Sequence, residues 1–123
     1  MKIGLDYWQV ISHYPEYFQA LVDAMAAQGH EVHIVSAIGR GRIGTIENEV
    51  KSVLTGFAAC HEVVFSNPRQ SPELKLAKCQ ELGITVFYDD RDDVCRLLNH
   101  NGILAMRVTR KDDRRSDVEA ERN

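Results

Sequence analysis

Positive charge is not in excess in this sequence. Its 15 Lys and Arg stand against 18 Asp and Glu, a formal charge of −3, and the pI is near 5.9. The electrostatic footprint of a protein that grips a phosphate backbone or an anionic lipid surface is therefore missing, and neither nucleic acid nor a membrane is expected as partner. Long apolar runs are missing too. None approaches the roughly 20 residues that span a bilayer, and the opening MKIGLDYWQV carries one lysine and a very short apolar stretch before Asp6, unlike a signal peptide. Cysteine is sparse. Cys60, Cys79 and Cys95 are odd in number, form no Cys-x-x-Cys and lie within helical or pre-strand patterns. They read as small buried hydrophobes in a reducing compartment, not as disulfides or metal ligands. The expectation is a cytoplasmic protein with one domain, whose 123 residues can bury a core without covalent staples.

What the sequence does have is an alternation of short apolar runs and helical patterns. KIGLD (2–6), EVHIVSA (31–37), EVVFS (62–66), ITVFYDD (84–90) and ILAMRV (103–108) read as strands, several of them β-branched as buried parallel strands are. Between them lie helical patterns at 15–29, 45–56, 71–83 and 92–102. The first opens on Pro15 and stops at Gly29, and the third begins with Ser71 as cap and Pro72 at the first helical position. The order β-α-β-α-β-α-β-α-β with short connections predicts an α/β three-layer sandwich, a five-stranded parallel sheet with helices on both faces. Residues 1–108 form the domain in this reading. The stretch from 109 to 123 carries five basic and five acidic side chains and reads as a polar, flexible tail.

Parallel sheets bind ligands beyond the carboxyl ends of their strands, at the switch in strand order. The first strand ends at Asp6, the second at Ser36 and the fourth at Asp89 and Asp90, while the helix after the third strand begins near Lys75. Three carboxylates, a hydroxyl and an ammonium would converge there. Carboxylates packed together repel unless a cation neutralises them, and oxygen-only donors favour Mg²⁺. Beside such a cation an Asp can serve as nucleophile in phosphoryl transfer, with Ser and Lys supplying a hydrogen bond and positive charge to the transferring group. The glycine-rich GRGRIG (39–44) follows Ser36 and offers Arg40, with Arg42, as a phosphate contact at the crevice mouth. His13, in SHYPEYF, is a candidate acid or base, whereas His30, His33, His61 and His100 show no ligand spacing.

These residues, in this order, resemble the haloacid dehalogenase (HAD) superfamily. In that family the first strand ends in Asp-x-Asp-Gly-Thr, the second in Ser or Thr, a Lys lies near the start of a later helix, and the fourth strand ends in an acidic pair. Asp6, Ser36 in HIVSA, Lys75 in PELKLAKCQELGI, and Asp89 with Asp90 in VFYDDRDDV match those positions, and Asp93 stands where a further acidic residue is common. Lys78, one turn on, competes with Lys75. The resemblance covers about residues 2–108 and implies a Rossmann-like sheet in the order 3-2-1-4-5. It also implies a Mg²⁺ ion held by Asp6, the Trp8 backbone carbonyl, Asp89 and Asp90, and phosphate contacts from Ser36, Lys75 and Arg40. The implied substrate is a phosphorylated small molecule or macromolecule. Neither insertion point has room for a cap domain, so a capless, open site is expected.

One departure matters. Where the family has its second Asp, the general acid, this sequence has Trp8. Indole can neither protonate a leaving oxygen nor activate water. Two functions follow: a phosphomonoester phosphatase, nucleotidase-like in substrate, with an altered acid/base, or a catalytically impaired relative that binds phosphate, metal or a partner. A receiver domain shares the alternating topology, but it would place an acidic pair after the first strand and its lysine after the fifth, which ends MRVTRK here.

Overall fold

The structure, a computed structural model, describes residues 1–110. Five strands form one all-parallel sheet: β1 (Lys2–Leu5), β2 (Glu31–Gly39), β3 (Ala59–Phe65), β4 (Val86–Asp89) and β5 (Leu104–Arg107). Their order is β3-β2-β1-β4-β5, so β1 is central. The helices are α1 (Pro15–Ala27), α2 (Thr45–Val50), α3 (Ser71–Leu82) and α4 (Asp92–His100). The receiver topology is wound 2-1-3-4-5, and the observed order excludes it.

Two apolar clusters separate the layers. On one face Ile3, Leu5, Val32, Ile34 and Ile38 of the sheet pack with Phe18 and Val22 of α1 and Ile46 and Val50 of α2. On the other, Val35, Val63 and Phe87 pack with Cys79 of α3 and Val94, Cys95 and Leu98 of α4. The alternation along β1 is cut to this plan. Ile3 and Leu5 fill the first face, while Gly4 turns to the second and lets the Phe87 ring lie across the strand. A Cβ on Gly4 would stand 2.4 Å from Phe87 Cδ2. Cys79 and Cys95 are buried as expected and Cys60 is half-buried; burial pushes the three thiols up to about 12, 11 and 11.

Several boundaries differ from the sequence reading. The second helix stops at Val50, yet Leu54, one turn later in the pattern, is still buried, because a turn in which its amide bonds to the Val50 carbonyl carries it inward. β3 begins at Ala59, drawn into register by His33 of β2. β2 runs to Gly39, past Ser36, so Ser36 is not a strand end. It lies level with the residues just beyond β1, since the β1–β2 pairing ends at Leu5 and Ile34. Ser71 does not cap α3. Asn67 caps the short 3₁₀ turn just before it, Pro68–Gln70, its side chain accepting from the Arg69 amide in a reciprocal box with Gln70, while α3 itself starts after Gln70 without a side-chain cap. Thr109 and Arg110 pack against the domain, with the Thr109 carbonyl accepting from the Tyr14 hydroxyl at 2.9 Å. The rest of the expected tail, 111–123, lies outside the described residues. Among the described residues no helix is long and apolar enough to cross a membrane.

Candidate active site

Because the chain goes from β1 outward to β2 and β3, then crosses back to β4, the topological switch falls at the carboxyl end of β1. Asp6 sits there. Its amide bonds to the Tyr88 carbonyl of β4, and its Oδ1 accepts from Ser36 Oγ of β2 at 2.7 Å. From α3, Lys75 reaches over the sheet edge: its Nζ lies 2.6 Å from Asp89 Oδ2 and 3.2 Å from Asp6 Oδ1. Lys78 instead pairs with Glu81 at the surface. Asp6, Ser36, Lys75, Asp89 and Asp90 are all buried. Burial of so many charges is costly unless each is paired.

The two carboxylates of the acidic pair have different surroundings. Both oxygens of Asp89 are engaged, Oδ2 by Lys75 and Oδ1 by the Arg91 amide at 2.9 Å. Asp90 lines the pocket, and its Oδ2 accepts from Arg110 Nε at 2.7 Å. Asp89 is thus the anchor of Lys75, and Asp90 is the carboxylate that faces an incoming ligand. Oxygens of Asp6, Asp89 and Asp90 all lie within 4.8 Å of one another. Lys75 and Arg110 are the counter-charges of this cluster, and the residues that could hold a small divalent cation are Asp6, Asp89 and Asp90.

Burial dominates the electrostatics of the cluster. Burial, reinforced by Asp89 and only partly offset by Lys75, pushes Asp6 up to about 7. Asp89 is likewise raised by burial against the pull of Lys75. Burial alone would favour neutral Lys75, but Asp6 and Asp89 outweigh it and hold the ammonium above the usual lysine value. The consequence for stability has a definite sign. Folded Asp6 keeps a proton that the unfolded chain gives up near pH 4, so this group's contribution declines as pH rises from there to about 7 and is flat above. In metal-free buffer the melting temperature of the wild type should fall more steeply between pH 5 and pH 8 than that of Asp6→Asn. Equal slopes by scanning calorimetry would show that Asp6 is not strained by its burial.

The loop between Asp6 and α1 is a wide turn, Tyr7–Ile11, in which the Ser12 amide bonds to the Tyr7 carbonyl. Trp8 is extended and Gln9 has φ +66°, the left-handed region that non-glycine residues seldom enter. The Ser12 hydroxyl holds that kink by accepting from the Gln9 amide at 2.9 Å. Such backbone concentrates at functional loops. The turn puts Trp8 at the mouth of the pocket, 38% exposed, its ring edge-on to Tyr7 and 5.9 Å from the Arg42 guanidinium carbon.

The pocket has a volume of about 280 Å³, and Asp6, Trp8, Gln9, Ser36, Lys75 and Asp90 are among the residues that line it. Four polar or charged lining residues are not among the site residues expected from the sequence: Gln9, Ser71, Arg91 and Arg110. Ser71 Oγ and Gln9 Oε1 are buried with no hydrogen-bond partner, a cost of about 1–3 kcal/mol each that a bound polar ligand would relieve. Arg40 does not line the pocket. It lies on an exposed 3₁₀ turn, Arg40–Arg42, and of that pair Arg42 is the one near the mouth. His13 lines a separate hollow with Tyr14, Pro15, Glu16 and Tyr17. Asp93 is clamped by Arg91 at 2.7 and 3.0 Å on the first turn of α4. His33 and His61, expected to be structural, meet at 3.1 Å, away from this site.

No family model matches the chain, and no curated protein matches it. Among solved structures, a chain of a Pnkp1/Rnl/Hen1 complex aligns with a TM-score of 0.64 at 14% identity, over 89% of this chain and 46% of its own length. A chain of a Pnkp1/Rnl/Hen1 RNA repair complex aligns at 0.63 and 13%, over 89% and 42%. This chain therefore spans under half of those neighbours, and the likeness is one of fold.

Proposed function

We propose that this chain is a HAD-like, Mg²⁺-dependent hydrolase that removes phosphate from phosphomonoesters with Asp6 as nucleophile. The observation that carries the reading is the meeting of Asp6, Ser36, Lys75 and Asp90 around one pocket at the switch point of the sheet. Ser36 and Lys75 both bind Asp6 through Oδ1, which orients the carboxylate and leaves Oδ2 as the attacking atom. Lys75 also brings positive charge to the transferring phosphoryl group, held in place by Asp89. Asp6, Asp90 and the Trp8 carbonyl would hold the Mg²⁺, which when bound offsets the repulsion between Asp6 and the phosphate oxygens. The partnerless Ser71 hydroxyl, and the partnerless Gln9 Oε1 as an acceptor, are further polar contacts for the substrate.

A second reading, a binding protein that keeps the phosphate and metal site without turnover, is favoured by Trp8, which has no acid to offer. Purified protein, Mg²⁺ and p-nitrophenyl phosphate decide between them. Phosphate release should be measurable in the wild type, stop on chelation and fall to background in Asp6→Asn. An Asp6→Asn variant as active as the wild type would sink the nucleophile assignment. A wild type that binds phosphate by calorimetry but never turns over would favour the second reading. No cap covers the pocket among the described residues, so small and macromolecular substrates both belong in the panel. One structural neighbour belongs to an RNA repair complex, which adds RNA to that panel.

A further inference from the structure

We infer that the site is matched to phosphoryl donors whose leaving group departs as a stable anion, a carboxylate or a phosphate, and that the phosphoryl group then persists on Asp6. The inference rests on the phosphatase reading and narrows it to a substrate class.

In the transfer step Asp6 Oδ2 forms a bond to phosphorus while the bond from phosphorus to the leaving oxygen breaks. The leaving oxygen keeps the bonding pair. An alkoxide leaving in this way needs a proton delivered as the bond breaks, whereas the carboxylate of an acyl phosphate or the phosphate of an anhydride needs none. The pocket decides which is possible. Lys75 is fixed between Asp6 and Asp89. Asp90 is paired with Arg110, and the Arg91 guanidinium is clamped on Asp93. Ser71 and Gln9 present a hydroxyl and an amide, which can hydrogen-bond but are far too weak as acids to protonate a departing alkoxide. Trp8, on the loop that leads directly from Asp6, brings indole. The histidine nearest in sequence, His13, opens into a different hollow. Among the described residues that line the pocket, then, none is a carboxylic acid or imidazole free to give a proton to the leaving oxygen.

The same inventory governs the second step. Water must attack phosphorus, the bond to Asp6 Oδ2 must break to regenerate the carboxylate, and the water's proton must go somewhere. With Asp90, the carboxylate that lines the pocket beside Asp6, held by Arg110, the proton goes to solvent, and the step forgoes the roughly 10²- to 10⁴-fold that a positioned base contributes. Transfer to Asp6 is thereby fast for activated donors and release is slow, so the phosphorylated protein accumulates.

The test uses the full chain with Mg²⁺ and three donors: acetyl phosphate, pyrophosphate and glycerol 2-phosphate. Intact-mass spectrometry reads the adduct, peptide mapping reads its position, and phosphate release reads turnover. Acetyl phosphate, pyrophosphate or both should add one phosphoryl group, on Asp6, with slow release afterwards, and which of the two reacts identifies the leaving group. Glycerol 2-phosphate should give no adduct and a turnover slower by about 10²-fold or more. Asp6→Asn should take up nothing. Trp8→Asp, its folding verified by circular dichroism, should not accumulate the adduct and should accept glycerol 2-phosphate. The ratio of kcat/KM for acetyl over glycerol phosphate should shrink in that variant by about 10²-fold or more. Comparable wild-type rates on the two donors, or turnover of acetyl phosphate with no adduct, would overturn the inference and leave the phosphatase reading standing. No reaction with any donor in either protein, or an adduct elsewhere than Asp6, would overturn both.

Discussion

Lys75→Ala should cost the protein about 3–5 kcal/mol at pH 8, the usual penalty for removing one partner of a buried ionic cluster. The reason is the position of the ammonium. It lies 2.6 Å from Asp89 and 3.2 Å from Asp6, with all three groups buried. Without it two carboxylates remain in the interior with a serine hydroxyl and a backbone amide as compensation. Burial already raises both carboxylates with the lysine in place. Removing it lets them rise further, so the folded variant holds protons that the unfolded chain has lost at pH 8. The penalty should therefore shrink toward pH 5, where less charge is buried. Urea denaturation at the two pH values measures this. Lys75→Met keeps most of the side-chain volume and separates charge from cavity: it should lose nearly as much as Lys75→Ala at pH 8. Adding Asp6→Asn to Lys75→Met should restore part of the loss, because one of the two stranded charges is then gone. A loss below about 1 kcal/mol at pH 8, the level of an exposed pair, would mean that Lys75 is solvated and not locked to the carboxylates.

Trp8→Asp should raise turnover of alkyl phosphomonoesters by about 10²- to 10⁴-fold, the contribution of one well-placed general acid. The substitution is structurally mild. Trp8 is 38% exposed, and its losses are an edge contact with Tyr7 and a guanidinium contact with Arg42, each worth about 1 kcal/mol. The extended backbone at Trp8 and the kink at Gln9 depend on the Ser12 hydroxyl and on the turn, not on the indole. Steady-state kinetics on glycerol 2-phosphate read the outcome. A folded Trp8→Asp protein with no gain would mean that residue 8 does not address the leaving oxygen.

The fold was largely open to reading because its determinants are local. Each strand is a short apolar run, each helix a periodic one, and the short connections leave a parallel sheet as the simple solution. The central place of β1 came from the resemblance carried by Asp6, Ser36, Lys75 and Asp89, and the observed order agrees. Boundaries failed where tertiary pairing took over from local pattern. His33 drew Ala59 into β3, and a turn in place of a last helical turn buried Leu54.

In the candidate site, the strand-end carboxylates and Lys75 could be seen because strand termini and helical register fix where they stand. Ser71 was misread as a cap because Ser before Pro is a strong local signal. The 3₁₀ turn capped by Asn67 runs directly into α3, so no side-chain cap is needed there and the Ser71 hydroxyl lines the pocket. Arg110 was invisible for a different reason. It belongs to a run of balanced charges without periodicity, and only the three-dimensional course of the chain past β5 sets it on Asp90. Arg40 does not reach the pocket because β2 continues past Ser36 to Gly39, a strand length that the short sequence distance from Ser36 does not reveal.

The central claim is that Asp6 is the atom donor to phosphorus and that a cation sits between it and Asp90. A crystal structure of the protein grown with Mg²⁺ and beryllium fluoride, which mimics a phosphorylated aspartate, tests it most directly. The account predicts the fluoride group joined to Asp6 Oδ2, Lys75 and Ser36 turned toward it, and the cation bound by Asp6, Asp90 and the Trp8 carbonyl. Beryllium fluoride on another residue, or a cation bound away from Asp6 with Arg110 still seated on Asp90, would contradict it.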